Sequence, residues 1–364
     1  MINSEYLKIK NECFKKFKDI EGSLDHTERL SFLQCISSKK SFFKENNLDN
    51  LSFYIDVRAN SILADYEFNN YDKITKYINI ESLIKLDNTP KIYCSFHYAS
   101  YKLINSILNI NNIDYCVVAN KSIIEGSDRY ISLHSTMKQK HKLSNSFSMI
   151  NANSNSSLIQ MIRCLKKGKS LLIYIDGGNG LQGLDYSNDK VINLEFLNKS
   201  IYSRVGIEFL SKHLNVPIIP VVSTRDENFI NVEFYESINP ITCSQHGEIT
   251  KKIWDIFKPI VEKKPSLWEG NLYANHFRSD IKKEEVGVNK NQNYRFNKDI
   301  DFLKKDDDYF VYSYSSSQTF KLSKNLKSIL MRLKEEGREF NYIDYIGLIN
   351  EKLLKDLIGK KILI

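Results

Sequence analysis

The chain has 364 residues, of which 42% are hydrophobic and 26% charged. At roughly 150 residues per domain that is room for about two to three domains and a sizeable core, and with only six Pro and fourteen Gly it excludes wholesale disorder and collagen- or linker-like character. Lys and Arg (52) exceed Asp and Glu (44) by eight, a mild basic balance that permits an anionic ligand but is far from that of a dedicated nucleic-acid binder.

Residues 1–85 read as a polar helical region. Tyr6, Phe14, Phe17 and Ile20 recur at helical spacing, and Asp25-His26-Thr27-Glu28 starts a second helix. From about residue 86 to 280 the pattern changes to strands alternating with helices. Lys91–Phe96 is a β-prone run and Tyr98–Asn109 a helix. Ile113–Val118 is a strand and Asp128–His141 a helix. Ser156–Lys167 is a helix with Leu158, Met161, Ile162 and Leu165 on one face and Gly168 as its stop. Ser170–Ile175 is a buried-type strand, Ile201–Leu214 a helix, and Val216–Ser223 and Ile230–Tyr235 are strands. This alternation predicts an α/β fold with a mostly parallel sheet flanked by helices. Residues 281–308, polar and charged, read as a linker. Residues 309–364 read as a small α+β unit: a hairpin of Tyr309–Tyr314 and Thr319–Leu322, a helix through Leu326 and Leu333 to Gly337, and a second helix marked by Tyr345, Leu348, Ile349 and Leu353.

The six cysteines include no CxxC pair and no His at zinc-ligand spacing, so no metal site is expected. Their scatter reads as reduced thiols of a cytoplasmic protein. The first eighteen residues lack the apolar core of a signal peptide, and no stretch reaches the ~20 apolar residues of a membrane helix.

His97 is the most informative position. It stands where the first α/β strand hands over to its helix, the end at which open α/β sheets bind ligands. A histidine there is placed to act as a general base, although a capping or core role would look the same. Strand alternation puts Tyr93, Ser95 and His97 on one side and Cys94 and Phe96 on the other, which argues against Cys94 as a nucleophile assisted by His97. Asp176-Gly177-Gly178-Asn179-Gly180 follows a strand, and its glycines allow close backbone approach to a ligand. It is neither a P-loop nor GxGxxG, so a nucleotide is not expected. Between Ser132 and Ser170 there is no acidic residue, while Lys138, Lys140, Lys142, Arg163, Lys166, Lys167 and Lys169 are all basic. The other histidines, including His134 and His141 seven apart on one helix, read as surface or capping residues.

Taken in order, FHYASYK, IRCLKKGKSLLIYIDGGNG, LEFLNKSIYSRVGIEFLSKHL, VPIIPVVS and SLWEGNLYANHFR make residues 90 to 280 resemble the HtrB/LpxL-like lipid A biosynthesis acyltransferases of the lysophospholipid acyltransferase superfamily. The resemblance implies a catalytic His97 and a donor thioester, acyl-phosphopantetheine on acyl carrier protein or coenzyme A, with no bound cofactor. It also implies an acyl site bordered by Asp176, Gly177 and Gly178, with Arg163 on the family's basic helix. Lys102, Lys138, Lys140 and Arg204 complete the expected substrate-binding set, and an acyl carrier protein is an expected partner for the basic stretch. The family's motif is His-x4-acid, whereas this chain has Lys102 in the acid's place. An ammonium cannot accept the imidazole N–H. Three readings follow: another group orients His97, with Asp176 the best candidate; the chemistry has changed; or the domain is a degenerate acyltransferase fold that binds a peptide or carrier protein as a scaffold. The C-terminal unit looks like the PqqD-like peptide-recognition domains, which implies a peptide partner captured as an added strand. Lacking an anchor, the chain is expected to acylate a hydroxyl or amine of a biosynthetic intermediate or peptide rather than lipid A.

Overall fold

The structure is a computed structural model that describes residues 4–18, 26–43, 48–177, 189–226, 229–279, 289, 292–305, 307–316, 318–337, 339–345, 347 and 349–364. The chain opens with helices α1 (Ser4–Lys18), α2 (His26–Phe42), α3 (Asn50–Asn69) and the short α4 (Tyr71–Ile74). Then follow β1 (Ile78–Ser82), β2 (Ile92–Ser95), α5 (Leu103–Ile110), β3 (Tyr115–Ala119), α6 (Lys121–Glu125), α7 (Asp128–His141), β4 (Phe147–Asn151), α8 (Ser157–Lys166) and β5 (Ser170–Tyr174). A hairpin of β6 (Val191–Phe196) and β7 (Lys199–Arg204) precedes α9 (Gly206–Leu214), β8 (Ile218–Arg225), β9 (Ile230–Phe234) and α10 (Glu248–Lys263). The C-terminal unit holds β10 (Asn293–Tyr294), β11 (Ile300–Lys305), β12 (Asp308–Ser313), β13 (Gln318–Leu322), α11 (Lys324–Glu336), β14 (Phe340–Asn341) and α12 (Glu351–Gly359).

The main sheet has seven strands in the order β1-β9-β8-β2-β5-β3-β4. Neighbours pair in parallel except β8 with β9. The fold is therefore α/β with a mostly parallel sheet. Its central strands are apolar on both faces, because helices cover both sides. Cys94, Leu171, Ile218 and Val222 enter one core with α2, α8, α9 and α10. Tyr93, Leu172, Ile219 and Val221 enter the other with α1, α5 and α7. Helix α3 serves both cores, giving Phe53, Tyr54 and Val57 to the first and Ile55, Ala59 and Leu63 to the second.

Several expectations need correction. The region 1–85 is not all helix: Ile78–Ser82 is an edge strand paired with β9. Ile201–Arg204 is strand, with Ile201 and Ser203 inward and Arg204 outward at a period of two; helix begins only at Gly206. The helix expected from Tyr98 starts at Leu103, because Ala99 takes a left-handed φ of 50°. Part of the expected linker, residues 293–305, is structured: Tyr294, Phe296 and Ile300 share an apolar cluster with Leu330, Leu354 and Leu357 of the C-terminal unit. The last helix starts at Glu351, capped by Asn350, rather than near Tyr345. Cys116 on β3 and Cys164 on α8 are disulfide-paired rather than separate thiols; Cys13, Cys35, Cys94 and Cys243 are free and buried. No described helix is long and apolar enough to cross a membrane.

Candidate functional site

Strands β2 and β5 lie side by side with Ser95 opposite Tyr174. Two residues beyond that pair, at the carboxyl end of both strands, come His97 and Asp176. The sheet register thus places them together across 79 residues of sequence. Asp176 is 0% exposed and lies with Oδ1 2.8 Å from His97 Nδ1. The His97 backbone N–H donates to both carboxylate oxygens at 3.0 Å, and the Trp268 indole N–H donates to Oδ2 at 2.7 Å. A buried carboxylate is tolerated when donors surround it in this way. Because an ionised carboxylate only accepts, Nδ1 carries the proton and Nε2 keeps its lone pair. Burial by itself would lower the His97 pKa. The charge of Asp176, its hydrogen bond and the more distant Glu269 outweigh that burial and the opposing Lys102, so the pKa is raised above 6.5.

Trp268 is seated by Gly270. A Cβ on that glycine would lie 2.2 Å from the indole ring, a distance no side chain could keep without moving the ring. Ala99 donates its N–H to the Leu267 carbonyl at 2.9 Å, and Glu269 donates its own to the His97 carbonyl at 2.9 Å. The His97 side chain is 21% exposed. Around its ring stand Tyr174, Tyr101 and Tyr273, with centroids at 4.8, 4.9 and 6.3 Å. The Glu269 carboxylate accepts from Tyr101 Oη and from Ser61 Oγ, each at 3.1 Å. Chemically, the cluster is an oriented imidazole with a free lone pair, set in an aromatic, partly water-excluded mouth.

Of the expected site residues, the structure brings together His97 and Asp176, with Gly177 next in the chain. Gly178 lies outside the described residues. Lys102 pairs with Asp65 of α3 at 2.7 Å, is only 14% exposed, and stands 5.5 Å over the ring of Tyr101. Lys138 donates to the Asn145 carbonyl at 2.9 Å, and Lys140 pairs with Asp72 at 2.7 Å. Both lie near the end of α7 that leads into the amino end of β4, and Arg163 is exposed near the end of α8 that leads into the amino end of β5. The five residues of β5, at ~3.3 Å each, span about 16 Å, and Asp176 lies two residues beyond its carboxyl end. These three cations therefore line the opposite edge of the sheet, not the His97 mouth. Arg204 is exposed at the end of β7 rather than in a helix. Cys94 is fully buried on the far side of β2, away from His97. Sequence reasoning gave no role to Glu269, Tyr101, Tyr174 or Tyr273. The one available signal was the Trp268 segment, quoted without roles for its residues.

Cavities also lie elsewhere among the described residues. One of about 10 Å³ is lined by His134, Tyr115, Phe147 and Met137; His134 is half-buried there, and burial and Lys138 lower its pKa. One of about 300 Å³ sits at the carboxyl end of β8, lined by Lys10, Asp56, Arg225, Lys263, Lys264 and Leu267. Among the described residues there is no group of three or more His, Cys, Asp or Glu able to hold a metal ion.

No protein-family model matches the chain, and no curated protein matches it. Among solved structures, the crystal structure of the 1-acyl-sn-glycerophosphate (LPA) acyltransferase PlsC from Thermotoga maritima is similar over 66% of this chain and 96% of that one, at 12% identity and a TM-score of 0.32.

Proposed function

We propose that the chain is an acyltransferase. In this reading it moves an acyl group from an acyl-phosphopantetheine thioester, on acyl carrier protein or coenzyme A, to a hydroxyl or amine acceptor. The observation that carries the proposal is the His97–Asp176 pair at the carboxyl end of a parallel sheet. Asp176 holds the imidazole in the tautomer that leaves Nε2 as the base. Nε2 takes the acceptor's proton, the acceptor attacks the thioester carbonyl, and the tetrahedral intermediate collapses with loss of the thiol. No covalent acyl-enzyme is needed. The order of the FHYASYK, IYIDGG and SLWEG segments supports the reading, since His97, Asp176 and Trp268 of those segments meet at one point. The test is incubation of the full chain with octanoyl-coenzyme A or an octanoyl carrier protein and panels of alcohols and amines, with acylated product sought by mass spectrometry. Product that disappears in His97→Ala is expected. Product that persists in His97→Ala, or no product from any pair, overturns the proposal.

The peptide partner rests on a second observation. Strand β13 ends its three-stranded sheet with no further partner among the described residues, an edge at which an extended peptide would add as a strand. Proline at Thr319 should weaken capture of such a peptide. Unchanged capture by that variant would count against the edge.

A further inference from the structure

Three carboxylates surround the His97 mouth, and they are partnered differently. Asp176 is held by His97 and Trp268. Asp65 faces Lys102 at 2.7 Å and Arg129 at 3.6 Å. Glu269 is half-buried and meets two neutral hydroxyls, Ser61 and Tyr101, while no described Lys or Arg pairs with it. A carboxylate drawn partly out of water normally finds a cation. Lys102 pairs with Asp65 at 2.7 Å, and its ammonium stands 5.5 Å over the Tyr101 ring. Tyr101 bonds Glu269 at 3.1 Å and packs 4.9 Å from the His97 ring, which lies 6.3 Å from Tyr273, so all four share one small volume. Burial keeps the Tyr101 and Tyr273 phenols neutral, and neutral rings attract cations through their faces.

We infer that Glu269, with the rings of Tyr174 and Tyr273, receives an ammonium group, so that the acyl acceptor is an amine. The inference rests on the acyl-transfer reading above and narrows its acceptor. The step balances as follows. Neutral His97 takes one proton from the bound R–NH3+ at Nε2. The freed nitrogen lone pair forms the C–N bond, and the carbonyl π pair moves to oxygen. That pair returns as the C–S bond breaks, and the leaving thiolate takes the proton from His97. The second nitrogen proton passes to solvent. The sum is R–NH3+ plus thioester giving amide, thiol and one H+. Glu269 is a binding group in this scheme; it holds the ammonium beside the base and takes no part in bond making.

The test pairs n-hexylamine with n-hexanol, each titrated into the full chain and followed by tyrosine and tryptophan fluorescence. The amine should bind at least tenfold more tightly. Glu269→Gln should reduce that preference to under threefold, with the fold of the variant checked by its far-UV circular dichroism. No measurable preference in the wild-type chain, or a preference that survives Glu269→Gln, overturns the inference. Octanoyl-coenzyme A turnover is read in parallel. Absence of turnover with both acceptors, beside an intact ammonium preference, counts against the acyl-transfer reading and leaves the ammonium site standing. Turnover with n-hexanol and no amine preference does the reverse.

Discussion

Asp176 accepts four hydrogen bonds from three groups while fully buried, so its replacement touches several functions at once. Asp176→Asn keeps the volume but removes the orienting charge and allows the wrong tautomer. Loss of the orienting carboxylate in a Ser-His-Asp triad costs about 10⁴ in rate. A fall of roughly 10³- to 10⁴-fold in thiol release, with little change in KM, is expected here. Glycine at 270 is required for a simpler reason, because any side chain would strike the indole that donates to Asp176. Gly270→Ala should therefore slow turnover, and the loss of the Trp268 N–H bond is readable as a shift in its indole NMR signal. pH dependence follows from the sign of the His97 shift. In the proposed reaction neutral His97 is the base, and its pKa is raised above 6.5 by Asp176 and Glu269 against burial and Lys102. The rate should rise with pH through that raised value, and Glu269→Gln should move the rise to lower pH. The same shift contributes stability that is fully present below about 6.5 and is lost as pH rises through the raised value. At this scale the sequence showed His97 and pointed to Asp176, since both end strands. It did not show Glu269 or the tyrosines, because nothing local links residue 97 to residues 174, 269 and 273. The left-handed turn at Ala99 precedes the helix start, and from there Lys102 pairs with Asp65 of α3.

Among the elements, strand β8 carries a second buried charge cluster that ties the N-terminal helices to the sheet. Arg225 at its end meets Glu67 of α3 through two hydrogen bonds, at 3.0 and 2.9 Å, and also bonds Asn60. Tyr6 of α1 donates to the same Glu67 at 2.6 Å. Removing one partner of such a pair strands the other charge in the core. Arg225→Met should cost about 3–5 kcal/mol, measured by urea unfolding, while Tyr6→Phe should cost about 1 kcal/mol. Equal costs would show that the pair is not shielded as the structure has it. Strands β2, β3, β5 and β8 were legible because buried parallel strands are short apolar runs between amphipathic helices, whereas β4 (Phe147–Asn151), half polar in sequence, was not read as a strand. The β6–β7 hairpin was not, because Ile201, Tyr202 and Phe209 fit a helical period as easily as a strand followed by a helix. Helix α10 was passed over although Ile249, Ile253, Trp254, Phe257 and Val261 form one buried stripe; its Pro259 and many lysines mask the pattern.

For the whole molecule, the layers explain why the site lies where it does. Helices α1 to α3 are not an appendage: their apolar residues belong to the two cores that sandwich the sheet. They also wall the mouth, since Ser61 and Asp65 of α3 reach Glu269 and Lys102. The C-terminal unit has a core of its own and docks on α2, with Leu33 packed against Leu303 and Tyr312 and with Ser37 donating to the Tyr314 carbonyl at 3.1 Å. The basic stretch between 132 and 170, which sequence alone ties to the donor, sits at the far edge of the sheet, where Lys138 and Lys140 tie α7 to its neighbours. The central claim is that His97, held by Asp176, is the base of an acyl transfer. Its most direct test is thiol release from octanoyl-coenzyme A with n-hexylamine, compared among the wild-type chain, His97→Ala and Asp176→Asn under identical conditions. The account predicts release by the wild-type chain that falls at least a thousandfold in both variants; release that is equal in all three proteins would contradict it.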